Sequence, residues 1–201
     1  MLDHVFTDAI GALRDAMENA FLERQAFEER FQVDVLLGDV TWETSYGLPG
    51  EGSPPRVRAD ITLDWPTWSQ TAYRNWYIGE PFDEPPEVLV EVTLRIQRLV
   101  HRPEPETVLA VLPEASPAIG AETLERSGPS IEQVYGSDLS ESGEFAIEVS
   151  YEGTVPLEEG TLADGSVLDD QFGAMGGWVA STLVRLGDLR FEFLPPDPEE
   201  G

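Results

Sequence analysis

Val57-Arg58-Ala59-Asp60-Ile61-Thr62-Leu63-Asp64-Trp65 alternates apolar and polar residues without a break. Val88, Val90, Val92, Leu94 and Ile96 repeat the pattern against Glu87, Glu91, Thr93, Arg95 and Gln97. Successive side chains of an extended strand point to opposite faces. Two such segments therefore predict strands with one face on a core and the other in water, the antiparallel habit. Their wet faces carry both signs of charge.

Working outward, Val33, Val35 and Leu37 also alternate, and after Gly38-Asp39 the phase shifts to Val40, Trp42, Thr44 and Tyr46. That shift implies a bulge or a tight turn. Residues 47–55 are turn-rich in Gly and Pro. Upstream, Phe6, Ile10, Leu13, Met17, Ala20, Phe27 and Phe31, with Arg24 the only polar residue in the register, recur at spacings of three and four, predicting one long amphipathic helix over residues 4–31 with Asp3 as its N-cap. Its apolar stripe packs on a sheet or, as a near-heptad seam, on another helix.

Downstream, Thr107 to Leu112 is expected to be a short strand. Residues 113–143 form a long excursion of low periodicity, with a short helix expected near Ala121–Arg126. Phe145, Ile147, Val149 and Tyr151 restore strand alternation. Ser166 and Asp169, spaced as a capping box, open a second helix with apolar face Leu168, Phe172, Met175, Val179, Leu183 and Leu186. Gly173, Gly176 and Gly177 inside it suggest close approach of another backbone. Leu189, Phe191 and Phe193 are expected to form a last strand. The fold class that follows is α+β: a mainly antiparallel sheet with a long N-terminal helix and a second, C-terminal helix packed on it. Residues 1–195 form one domain, and 196–201 a polar tail.

Six aromatic side chains, Trp65, Trp68, Tyr73, Trp76, Tyr77 and Phe82, fall within one short segment that also carries Arg74. A core-lining strand and turn would account for them. So would a recognition surface, since Trp, Tyr and Arg dominate interface hot spots. These seven residues are the candidate interface.

The chain contains no lysine; its 12 basic residues are all arginine, against 39 acids, for a net charge of -27. Such a surface repels itself unless screened, and at molar salt the Debye length falls to roughly 3 Å. The acids are spread along the chain, which points to adaptation to a saline solvent rather than to an acidic tail. The alternatives are a DNA mimic and an acidic protein of a GC-rich genome. No basic patch exists to neutralise phosphates, so direct nucleic-acid or anionic-membrane binding is not expected. No apolar run is long enough for a membrane span, and the N-terminus lacks a signal-peptide pattern.

Catalytic chemistry has little to stand on. Without lysine there is no Walker loop or Schiff base, and without cysteine no thiolate nucleophile. His4 and His101, the only histidines, lack helical metal-pair spacing. Carboxylate pairs such as Asp60 with Asp64 are expected by chance at this acid content. No catalytic residue, cofactor or metal site is therefore assigned, and the chain is read as non-enzymatic.

The order helix, antiparallel strands, helix, strand resembles that of the tail-terminator and neck-ring subunits of tailed viruses. The similarity covers most of the chain as an order of elements. It implies a ring-like homo-oligomer at a head–tail junction, with neighbouring virion proteins as further partners. With the acidic composition, the expectation is a structural tail or neck component of a haloarchaeal virus, located in the virion or host cytoplasm. The 113–143 excursion departs from that pattern. The competing expectation is an acidic regulatory protein, an inhibitor, immunity protein or DNA mimic, that binds a basic partner.

Overall fold

The computed structural model describes residues 27–36 as backbone, then 39–48, 54–134 and 143–195, together with helical Gly11, Asp15 and Asn19. Seven strands form one antiparallel sheet: β1 (Phe27–Leu36), β2 (Asp39–Gly47), β3 (Val57–Trp65), β4 (Glu87–Leu99), β5 (Glu125–Arg126), β6 (Ser130–Val134) and β7 (Glu144–Pro156). Their order is β1-β2-β3-β4-β7, with β5 and β6 sharing the far edge of β7. The four described helices are α1 (Thr67–Ile78), α2 (Pro105–Leu109), α3 (Glu159–Ala163) and α4 (Gly165–Gly187).

Period-two patterning sets the layers. Trp42 and Tyr46, the odd positions of β3 from Val57 to Trp65, and Val88 through Ile96 at every second residue are all buried on one face. Ile147, Val149, Tyr151 and Val155 extend that face across β7. Helix α4 covers it with Leu168, Phe172, Met175, Val179, Leu183 and Leu186, all buried and all in the register the sequence predicts. Each such side chain contributes about 1.5–3 kcal/mol on burial. The α+β class and the mainly antiparallel sheet are thus present.

Several local expectations are corrected. Residues 27–31 begin β1, so a helix over 4–31 cannot extend to Phe31. Of the remainder of that helix only Gly11, Asp15 and Asn19 are described, and they are helical. Leu36 pairs with Asp39, in keeping with the tight-turn alternative for the phase shift, and a separate bulge falls between Glu28 and Arg30. The run from Thr107 is not a strand. Pro105 sits at the start of α2, whose Val108 is buried in the core; proline's fixed φ suits a first helical turn.

Ala121–Arg126 is not helical. Ile119 and Glu122 bridge around a turn, and Glu125–Arg126 form β5. The first part of the excursion closes the core, with Ile119 and Leu124 each buried. Residues 189–195 contain only an isolated bridge, Leu99 to Phe193, rather than a strand. The N-cap of α4 is Asp164, whose Oδ1 accepts from Ser166 N (3.0 Å) and Ser166 Oγ (2.8 Å). The cap is therefore Asp164 rather than Ser166, and with Val167 three residues on from it the expected Ser166–Asp169 capping box is not formed. A Cβ built on Gly177 meets nothing within 4 Å, so close backbone approach does not explain that glycine. Residues 49–53, 135–142 and the polar tail 196–201 lie outside the described residues.

Candidate interaction surface

The aromatic segment folds as a helix, not as a strand and turn. Pro66 precedes it in extended conformation, φ -68° and ψ 155°. Asp39 of β2 accepts from Thr67 N (2.6 Å) and Thr67 Oγ1 (2.7 Å), satisfying part of the helix start. Gly79, at φ 76°, ends it: Gly79 N donates to Trp76 O (3.1 Å) and Glu80 N to Asn75 O (2.8 Å). A left-handed residue at this place is what glycine accommodates.

Two further ties fix the helix to the sheet. Ser69 Oγ donates to Glu87 O (2.6 Å) and accepts from Glu87 N (2.7 Å). Gln70 Nε2 donates to Trp65 O (2.9 Å).

This anchoring divides the seven candidate residues. Trp65 and Tyr73 are core, meeting edge to face at 5.7 Å. Trp76 is half-buried and stacks on Tyr73 at 5.9 Å. Trp68, Tyr77 and Phe82 stay exposed, at 45%, 70% and 37%. Arg74 is also exposed and its Nη2 donates to Gln70 Oε1 (3.3 Å). The structure adds Ile78, 64% exposed, which the sequence search passed over. Its signal was available: an aliphatic residue directly before the terminating Gly79, outside the stripe that carries Tyr73.

At about 100° per residue, Trp68 and Tyr77 lie on opposite flanks of α1. Arg74, Asn75 and Ile78 lie between them. The outer side of α1 thus mixes aromatic, guanidinium and amide groups, the composition of a protein-contact surface.

The sheet face opposite α4 is polar. Thr41 Oγ1 donates to Asp64 and Ser45 Oγ to Asp60, while Arg58 pairs with Asp60 at 3.0 Å. Arg95 pairs with Glu148 and, at 3.2 Å, with Glu132. Arg58 and Arg95, opposite each other in the register, are thus both engaged by acids at one end of this face. Toward the other end, Glu91 of β4 lies directly opposite Glu152 of β7, which lies opposite Glu125 of β5. Like charges opposed across strands destabilise. A shallow groove of about 310 Å³ runs there, lined by Asp64, exposed Leu89, Glu91, Glu152 and Thr154.

Among the described residues no group of three or more His, Cys, Asp or Glu is arranged to hold a metal ion. His101 is exposed and lies 3.5 Å from Glu192. No described helix is long and apolar enough to cross a membrane.

Set beside known proteins, the chain matches no family model, no curated protein and no solved structure.

Proposed function

We propose that the protein is a non-enzymatic assembly subunit that meets its neighbours through the outer side of α1 and the loop after it. The observation that carries this is the division of one aromatic cluster. Trp65 and Tyr73 complete the core, whereas Trp68, Tyr77 and Ile78 remain in solvent on a helix whose first turn is tied to the sheet, with exposed Phe82 just beyond it. A rigid helix presenting large amphipathic side chains keeps the ordering cost of docking low.

The finer reading is a ring-forming tail or neck component of a virus of saline habitats, with itself and neighbouring virion proteins as partners. It is supported by the order of elements and by a lysine-free chain of net charge -27 that needs salt to suppress self-repulsion. Light scattering in molar KCl tests the assembly. The expected result is a discrete multimer for the native chain and a folded monomer for Trp68→Ala/Tyr77→Ala. A native monomer, or a multimer indifferent to both substitutions, overturns it.

A second reading is favoured by the opposed glutamates Glu91, Glu152 and Glu125 beside Leu89. They suit an acidic regulator that docks a basic partner on the open sheet face. Glu91→Gln/Glu152→Gln would then weaken that complex and leave the multimer unchanged.

A further inference from the structure

A second concavity, of about 490 Å³, opens between the Gly120 turn, the segment after β7 and the first turns of α4. Pro156, Glu158, Thr161, Val167 and Gln171 contribute to its wall. It lies apart from both surfaces described above and shares no residue with the groove on the open sheet face.

Three features set it apart from a surface dent. Gln171 has its Oε1 buried without a hydrogen-bond partner. A buried acceptor left unsatisfied costs about 1–3 kcal/mol, which a donor supplied from outside would recover. Thr161, only 7% exposed, sets a polar residue into the same wall. Gly120 holds a left-handed φ of 67°, and a Cβ there would come within 3.2 Å of Gln171 Nε2. The turn thus brings bare backbone against the carboxamide, where a larger residue would crowd it.

The chemistry of the wall selects the ligand. Its charged members are both acids, Glu158 and Asp164. Asp164 also occupies the start of α4 by accepting from Ser166 N and Oγ, so that helix end is closed to anions. Pro156 and Val167 offer apolar surface for a short alkyl stem. We infer that this pocket binds an alkyl guanidinium or alkylammonium group, whose N–H donors reach Gln171 Oε1 and Glu158 while its stem lies on Pro156 and Val167. Two sources share this chemistry: a free small amine, or an arginine side chain of a second copy, this chain having no lysine.

Calorimetry on the full chain, at the lowest KCl that preserves its circular dichroism, uses agmatine as probe and butyrate as the anionic control. The expected result is saturable one-to-one binding of agmatine and none of butyrate. Glu158→Gln and Gln171→Leu should each weaken it about tenfold, the scale of a lost hydrogen bond to a charged group. Glu158 is exposed, so that variant keeps its fold even if Gln171→Leu does not. Asp188→Asn, exposed at the far end of α4, should leave binding unchanged.

No saturable binding overturns the inference. So does an equal loss in Asp188→Asn and Glu158→Gln, which would mean diffuse attraction to an acidic protein. Agmatine that binds and lowers the mass measured by light scattering identifies a neighbour's arginine as the natural occupant. Binding at constant mass identifies a free amine.

Discussion

Asp39, the first residue of β2, caps a helix that begins 28 positions later: its Oδ1 takes both Thr67 N at 2.6 Å and Thr67 Oγ1 at 2.7 Å. The hairpin between β1 and β2 is thereby linked to the helix that carries Trp68 and Tyr77. The two donors also favour the ionised carboxyl. First the Thr67 hydroxyl and then its N–H hold Asp39 below the ordinary carboxylate range.

Asp39→Ala is accordingly expected to lower Tm and to speed amide exchange over the first turn of α1. The pH dependence follows from the sign of the shift. A depressed folded pKa means that the unfolded chain takes up the proton first as pH falls. The contribution is full above the unfolded value, about 3.8, and is lost as pH drops through the folded value. The Tm gap between native and variant should therefore narrow in acid. A gap that stays constant rules out the cap.

The parts of the fold legible in the sequence were those with long, unambiguous periods. Residues 57–65 and 88–96 alternate too regularly to be anything but strands, and Leu168 to Leu186 keeps one helical face over five turns. Residues 27–31 were not legible for a geometric reason. Phe27 and Phe31 are four apart, a helical spacing, and the bulge between Glu28 and Arg30 breaks the period of two that would have marked a strand.

Helix α1 was legible in its punctuation. Pro66 before it and Gly79-Glu80-Pro81 after it mark both ends, but six aromatics drew attention to strand propensity instead. Its cap was hidden, because Asp39 is remote in sequence. β5 and β6 could not be read at all: two- and five-residue strands exist only through pairing with β7.

Two glycines should respond unequally to alanine. A Cβ on Gly153 would sit 3.1 Å from the carbonyl oxygen of Thr123 and 3.0 Å from Leu124 Cδ2, where the excursion crosses β7. Backbone cannot swing aside as a side-chain end can, so Gly153→Ala is expected to cost about 1–3 kcal/mol. At Gly187 the only close atom is the end of Leu48, at 2.6 Å, a methyl that can rotate away. Helix propensity then offsets the crowding, and Gly187→Ala should change stability by less than about 1 kcal/mol. Denaturant titration of both variants decides it; equal losses would contradict the difference in surroundings.

Arg95 joins three strands. From β4 it pairs with Glu148 of β7 and Glu132 of β6, and its Nε donates to Gln97 Oε1 (3.1 Å). Its side chain is only 15% exposed, although Glu132 is half in solvent. Arg95→Gln is expected to cost about 1 kcal/mol, the upper end for pairs open to water. It should also accelerate amide exchange selectively in Ser130–Val134, which rest on β7 alone. Faster exchange throughout the sheet, or none, would show that Arg95 does not fasten β6.

Tyr151 fastens the other end of the excursion. Its hydroxyl donates to Pro113 O (2.6 Å), and its ring meets Trp178 edge to face at 5.0 Å. Around it, Arg126 donates to the carbonyls of Leu109 and Leu112, and Arg185 to that of Val111 (3.3 Å). The carbonyls following α2 are thus met in turn by side chains of β7, β5 and α4. Tyr151→Phe removes one of these donors and should cost about 1 kcal/mol. Burial pushes the Tyr151 phenol above 10.0, with the nearby Arg126 opposing it. A raised folded pKa gives stability that is complete below the unfolded value and lost as pH climbs through the folded one. In alkali the stability gap between native and Tyr151→Phe should therefore close. In an absorbance titration of the folded chain, the phenolate signal lost on substitution should be one that ionises above 10.0. If the lost signal is an early one, Tyr151 is in contact with water and does not hold Pro113.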